Sequence, residues 1–166
     1  MTVYGRILLA GGGSALILLG ALAFQYLGGL APCPMCLWQR WPHAVAVAIA
    51  VLAVTVLWWG RRWLAGLGGA AMAVSAGLGV FHAGVEWRFW DGPSSCVSSS
   101  IEGLTPEQLL DQILAAPVVR CDEVAWDFLG LSLAGWNAVF SVGFAALWAA
   151  SVVWWRMPLA PGEAAR

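Results

Sequence analysis

Residues 7–30 read ILLAGGGSALILLGALAFQYLGGL, an apolar run interrupted only by Ser14 and Gln25. A helix that crosses a bilayer needs about 20 mostly apolar residues, and this stretch supplies them without an amphipathic rhythm. Three further runs have the same character. They cover 42–59, with a start as early as Cys36 allowed, then 63–85 and 131–155. Continuous apolarity lets every face of such a helix meet lipid or another span. The expected fold is therefore an all-α membrane protein, a four-transmembrane-helix bundle forming one domain over residues 1–166. Small residues recur on the first and third runs (Gly11, Gly12, Gly13, Gly66, Gly68, Gly69, Gly77, Gly79). They are expected to permit close helix contact in lipid rather than to cradle a phosphate.

Composition points the same way. Hydrophobic residues make up 61% of the chain and charged residues 10%, whereas a soluble domain carries about 25% charged residues. Mean hydropathy is +0.79. All eight basic residues are arginine, and the 12 tryptophans suit a membrane–water interface. A net charge of −1 gives no electrostatic footprint for nucleic acid. The sequence Ala21-Leu22-Ala23 resembles a signal-peptide cleavage site, but the apolar run continues past it to Leu30, so a span is expected instead.

The connections set the expected orientation. Four spans put both termini on one side. Arg6, Arg61, Arg62, Arg156 and Arg166 lie on that side, against Arg40, Arg88 and Arg120 on the other. The bias places the termini in the cytoplasm, and loops 31–41 and 86–130 in the periplasm or its equivalent. Within the long loop, Thr105-Pro106-Glu107-Gln108 offers an N-cap, an initial Pro and a capping-box Gln. Leu109, Leu110, Ile113 and Leu114 follow on one face until Pro117. This predicts a short amphipathic helix, either lying on the membrane surface or packed within the loop.

All four cysteines fall in the outer segments. Cys33-Pro34-Met35-Cys36 stands at the mouth of the first span, and Cys96 and Cys121 flank the loop helix. Segregation to the oxidising side fits disulfide chemistry. A Cys-x-x-Cys bridge closes too small a ring to constrain the unfolded chain much, and a helix starting at or just after it stabilises thiolate. Arg40, four residues after Cys36, shares its helical face. It is expected to favour the thiolate there. Zinc is not expected, because only one pair has ligand spacing. A c-type haem is excluded by Leu37, where a His would be needed. Two structural disulfides in a non-enzymatic membrane scaffold remain the competing reading. His82 lies inside the third span, ahead of Glu86, and an ionisable residue there is a candidate site. His43 is expected at the interface.

Cys33-Pro34-Met35-Cys36-Leu37-Trp38-Gln39-Arg40 after a first span resembles the first redox loop of the DsbB disulfide-bond formation proteins. Cys121, then Trp126-Asp127-Phe128-Leu129-Gly130-Leu131 and Trp136, is similar to the segment closing that family's second periplasmic loop. The resemblance covers nearly the whole chain. It implies a bacterial inner-membrane enzyme whose Cys96–Cys121 disulfide is attacked by a reduced DsbA-type periplasmic thiol oxidase, with Cys96 taking the mixed disulfide. Electrons then pass to Cys33–Cys36, and Cys36 donates to a quinone, with ubiquinone expected ahead of menaquinone. By the same resemblance Arg40 and His82 border the quinone. A vitamin K epoxide reductase-like protein is the alternative enzyme, but there the Cys-x-x-Cys pair follows the loop cysteines, and here it precedes them.

Overall fold

The computed structural model describes residues 1–55, 61–96, 105–108, 110 and 119–154. Four long helices dominate: α1 (Val3–Tyr26), α2 (Pro34–Thr55), α3 (Arg61–Glu86) and α4 (Leu133–Trp154). Each is long and apolar enough to cross a membrane, so the protein is a multi-pass membrane protein. α1 packs on α2 and α4, and α3 packs on the same two, which closes a four-helix ring. Most of each apolar window faces outward. In lipid that is the stable arrangement, since every backbone group is satisfied within its own helix.

α2 starts at Pro34, just ahead of the early start allowed at Cys36 and well ahead of Pro42. Pro34 occupies the first helical position, where its missing N–H costs nothing. Pro42 lies inside the helix, leaving the Trp38 carbonyl without its helical donor. Because the helix begins early, His43 is carried more than two turns into the bundle and is 1% exposed. This corrects the expected interfacial position.

The bundle is layered along its axis. One end holds an apolar cluster of Ile7, Ala10, Ala46, Ile49, Ala50, Ala53, Ala65, Met72 and Trp148. The other end holds Cys33, Met35, Val85, Cys96 and Cys121. Gly79 faces the α4 backbone so closely that an added Cβ would sit 2.9 Å from the Ala138 nitrogen and 3.0 Å from the Ala134 oxygen. Gly11 and Gly68 make similar approaches to Ala50 and Trp148, whereas Gly12, Gly66 and Gly77 face open space.

A two-stranded hairpin precedes α4: β1 (Asp127–Phe128) pairs with β2 (Leu131–Ser132). Its turn residues Leu129 and Gly130 have φ of 53° and 77°, the pairing of positive values that a tight two-residue hairpin turn requires. Ser132 then caps α4, its hydroxyl accepting the Gly135 N–H at 3.1 Å. In the long loop the capping box forms: Thr105 N–H donates to Gln108 Oε1 at 3.0 Å, and Gln108 N–H to Thr105 Oγ1 at 3.3 Å. Leu109, Ile113 and Leu114, the remainder of the expected apolar face apart from Leu110, lie outside the described residues.

Candidate redox site

The two cysteine pairs meet at one end of the bundle. Cys33 caps α2: its sulfur accepts the Cys36 N–H at 3.2 Å, and its carbonyl accepts the Leu37 N–H at 3.2 Å. The start of α2 thus directs its positive end at the Cys33 sulfur. Cys33 and Cys36 are free thiols, with the Cys33 S–H donating to the Cys36 sulfur across 2.8 Å. That hydrogen bond, followed by burial, pushes the Cys33 thiol above the ordinary thiol range. Cys33 is therefore the proton-holding member of the pair.

Cys96 and Cys121 form a disulfide with a Cα–Cα separation of 5.2 Å. It is folded down onto the inner pair rather than displayed to solvent, with Cys121 0% exposed. Val119 and Val85 pack around it, and burying this apolar patch is what holds the loop against the helix mouth. The consequence is proximity: the ligand atoms of Cys33, His82 and Cys121 all lie within 4.8 Å of one another. A metal could be held by such a trio, but the Cys121 sulfur is bonded to Cys96 and offers no thiolate.

His82 faces this junction from α3. Its Nε2 lies 3.6 Å from the Cys33 sulfur and 3.9 Å from Glu86 Oε1, and its Nδ1 lies 2.7 Å from Gln39 Nε2. Glu86 in turn accepts the Ser132 hydroxyl, which ties it to the cap of α4. Arg40, on the wall of the cavity that Cys36 also lines, donates to Gln25 Oε1 on α1 at 2.7 Å.

Beside the cysteines opens a cavity of about 420 Å³. Leu16, Ile17, Phe24, Trp136 and Phe140 form apolar wall, while Cys36, Arg40, His82 and Glu86 line the polar part. Trp126 approaches from the outer segment, its ring centroid 5.2 Å from that of Phe24. A pocket of this size and lining suits a flat, mostly apolar ligand with a few polar atoms.

The family model for disulfide bond formation protein DsbB matches residues 5–151. The chain belongs to the DsbB family. Among curated relatives, disulfide bond formation protein B of Hahella chejuensis is 32% identical, over 83% of this chain and 85% of its own length. The protein of the same description from Xanthomonas oryzae pv. oryzae is 36% identical, over 74% of each chain. That from Albidiferax ferrireducens is 33% identical, over 84% of this chain and 83% of its own. No solved structure matches. As a DsbB-family member the chain is a membrane protein of disulfide bond formation and a disulfide oxidoreductase.

For a DsbB-family chain, the structure brings together Cys33, Cys36, Cys96, Cys121 and His82, and places Arg40 on the adjoining cavity wall. It also shows polar groups that sequence reasoning missed. Asn137 Nδ2 donates to Gln39 Oε1 at 2.7 Å, and Asn137 Oδ1 lies 2.8 Å from His43 Nε2. Ser75 and Ser141 surround the same His43 nitrogen at 3.2 and 3.5 Å. The available signal was the isolated polar residue in an apolar run, which in a membrane span marks a bonded or functional group.

Proposed function

We propose that the protein reoxidises a periplasmic DsbA-type dithiol oxidase and passes the electrons to membrane quinone. The observation that carries this reading is the meeting of both cysteine pairs in one buried cluster at the rim of an apolar cavity. In this reading the chain sits in the bacterial inner membrane with its termini cytoplasmic and its cysteines periplasmic, following the arginine bias.

The exchange proceeds through bonds the geometry can make. A partner thiolate attacks the Cys96 sulfur, the Cys96–Cys121 bond breaks, and Cys121 leaves as thiolate. Cys121 attacks Cys33 in the oxidised inner pair, and Cys36 takes the bonding electrons. The partner's second thiolate then displaces Cys96, which closes on Cys121 and releases Cys33. The partner ends as a disulfide and the inner pair as a dithiol, with the two thiol protons accounted for there. A Cys96–Cys121 disulfide beside free Cys33 and Cys36 is compatible with this end point.

The cavity residues fit a quinone: an apolar slot for the ring, with Cys36, Arg40 and His82 as its polar contacts. When bound, the quinone supplies a two-electron, two-proton acceptor. Arg40 holds a fixed positive charge on that wall, and Phe24 and Trp126 exclude water from it.

The test is quinone reduction by purified protein in detergent, given a reduced periplasmic dithiol oxidase and a short-chain ubiquinone, with a menaquinone analogue for comparison. Reduction should depend on the protein partner, and Ser at any one of the four cysteines should abolish it. Full turnover by Cys33→Ser or Cys36→Ser would show the electron path to be wrong. Arg40→Ala should raise the apparent KM for quinone, and an unchanged KM would leave Arg40 as an interfacial anchor only.

A further inference from the structure

A chain of amides and imidazoles, buried except for the half-buried Asn137, crosses the bundle beneath the cysteines. It runs from His43 on α2 to Asn137 on α4, back to Gln39 on α2, and on to His82 on α3. Each link is a strong contact of 2.7–2.8 Å, and His82 ends the chain 3.6 Å from the Cys33 sulfur. Such a chain has two possible directions, because an amide can present either its oxygen or its NH₂ and an imidazole either tautomer.

Two observations choose the direction. Gln39 Nε2 also lies 3.4 Å from the Met35 carbonyl. A carbonyl only accepts, so the group between Met35 and His82 is the NH₂, and it donates to His82 Nδ1. At the far end, His43 Nδ1 is buried with no partner among the described residues. A proton there would be an orphaned buried donor, which native structures avoid more strictly than an orphaned acceptor. The His43 proton therefore sits on Nε2, donating to Asn137 Oδ1. Asn137 Nδ2 then donates to Gln39 Oε1. Both ends of the chain agree.

We infer that Gln39 and Asn137 are positioning residues that fix His82 as the Nε2–H tautomer, placing its single ring proton among the Cys33 sulfur, Glu86 and the Cys121 backbone carbonyl. The function follows from the exchange chemistry, and the inference rests on the proposed role of Cys33 for that part only. Each time Cys33 leaves a disulfide, or gives up its proton, negative charge develops on a buried sulfur. The Met35 and Cys36 N–H groups and the His82 N–H are the donors placed to meet that charge. A bare Nε2 would face the sulfur with a lone pair instead and would oppose the same step. Asn137 acts from α4 without touching either cysteine pair.

The chain contains only two histidines, so ¹⁵N NMR of histidine-labelled protein in detergent, with no quinone or partner added, reads the tautomer directly. His43→Gln assigns the two sets of signals. Wild-type His82 should show a protonated Nε2 and a bare Nδ1. Gln39→Met keeps the volume and removes the donor, and Asn137→Leu removes the group that holds Gln39. In both, the single His82 tautomer should be lost. In a Cys36→Ser background, Gln39→Met should also move the onset of Cys33 alkylation to higher pH. The other titratable and charged groups around this site are Arg40 from α2, Glu86 from α3, and Arg120 and Glu123 from the outer segment. All are kept in the variants, so a shift reports the amide. A wild-type His82 carrying its proton on Nδ1 would overturn the inference. So would an unchanged Nε2–H signature in Gln39→Met, since Glu86 and the Cys121 carbonyl would then set the tautomer without the amide. Neither result bears on whether the cysteines pass electrons, so failure of this inference and failure of the proposed function are distinguishable. If Asn137→Leu fails to fold, Gln39→Met still decides.

Discussion

Cys33 and Cys36 are three residues apart, yet the structure gives their sulfurs different duties. Cys33 is 3% exposed and caps α2, while Cys36 is partly open to the cavity. Hydrogen bonding to Cys36 and burial hold the Cys33 thiol above its ordinary range, so at neutral pH little of it is thiolate, and only the thiolate alkylates. Brief iodoacetamide treatment of the protein at pH 7 should therefore label Cys36 well before Cys33, as read by peptide mass spectrometry. Raising the pH should narrow the gap, because labelling of a group with a raised pKa grows only as pH climbs toward that value. Preferential labelling of Cys33 at pH 7 would reverse the assignment of the proton. The linkage sign follows from the same shift. A thiol pKa raised by folding contributes stability that is fully present below the unfolded value of about 8.5 and is lost as pH rises beyond it.

At the scale of elements, the site depends on how closely α3 can approach α4, because Glu86 at the end of α3 reaches the Ser132 cap of α4. Gly79 sets that approach: a Cβ there would press on α4 backbone at 2.9 and 3.0 Å, and backbone cannot rotate away as a side chain can. Gly79→Val should destabilise the bundle by about 1–3 kcal/mol, the usual cost of overpacking. A thermal-denaturation series in detergent measures it, with Gly77→Ala, which meets open space, as a control expected near neutral. Equal effects at the two positions would mean that the helix contact is not limiting. Element-level features differed in how legible they were. Four spans followed from unbroken apolar runs, and the Cys-x-x-Cys motif fixed the site on the second. The start of α2 was left open between Cys36 and Pro42 because Pro34 and Pro42 both carry the local signal of a helix beginning, and only tertiary packing decides between them. Counting from the later start hid the burial of His43. Asn137, Ser75 and Ser141 passed unremarked because a single polar residue in a span looks the same whether it faces lipid headgroups, a neighbouring helix or a site. Which it faces depends on helix rotation, and runs apolar on every side carry little record of rotation. The hairpin before α4 was also unread, since two strands of two residues are too short to show an alternating pattern.

For the whole molecule, the relevant fact is that Cys121, 88 residues after Cys33 in sequence, is docked on the mouth of α2. Cys121 is carried by the long outer loop, Cys33 by the first, and their sulfurs are within 4.8 Å. A disulfide needs sulfurs about 2.05 Å apart and Cβ atoms about 3.8 Å apart, so a small adjustment suffices to join the loops. Under the exchange proposed above, the arrangement separates two tasks that cannot be done in one geometry. The docked geometry presents Cys121 to Cys33 but buries Cys96, whereas the proposed attack by a protein partner needs Cys96 in reach. The docked geometry can be trapped. In a Cys36→Ser, Cys96→Ser double variant, the only thiols left are Cys33 and Cys121. Mild oxidation, with neither partner nor quinone present, should join them in high yield, and peptide mass spectrometry after proteolysis should recover the Cys33–Cys121 bridge. The companion double variant Cys33→Ser, Cys96→Ser leaves Cys36 and Cys121. It should bridge more slowly, because Cys36 lies on the cavity side while Cys33 and Cys121 share the buried trio with His82. If both thiols of the first variant remained open to alkylation after oxidation, the docked loop would not be the geometry through which electrons pass between the pairs.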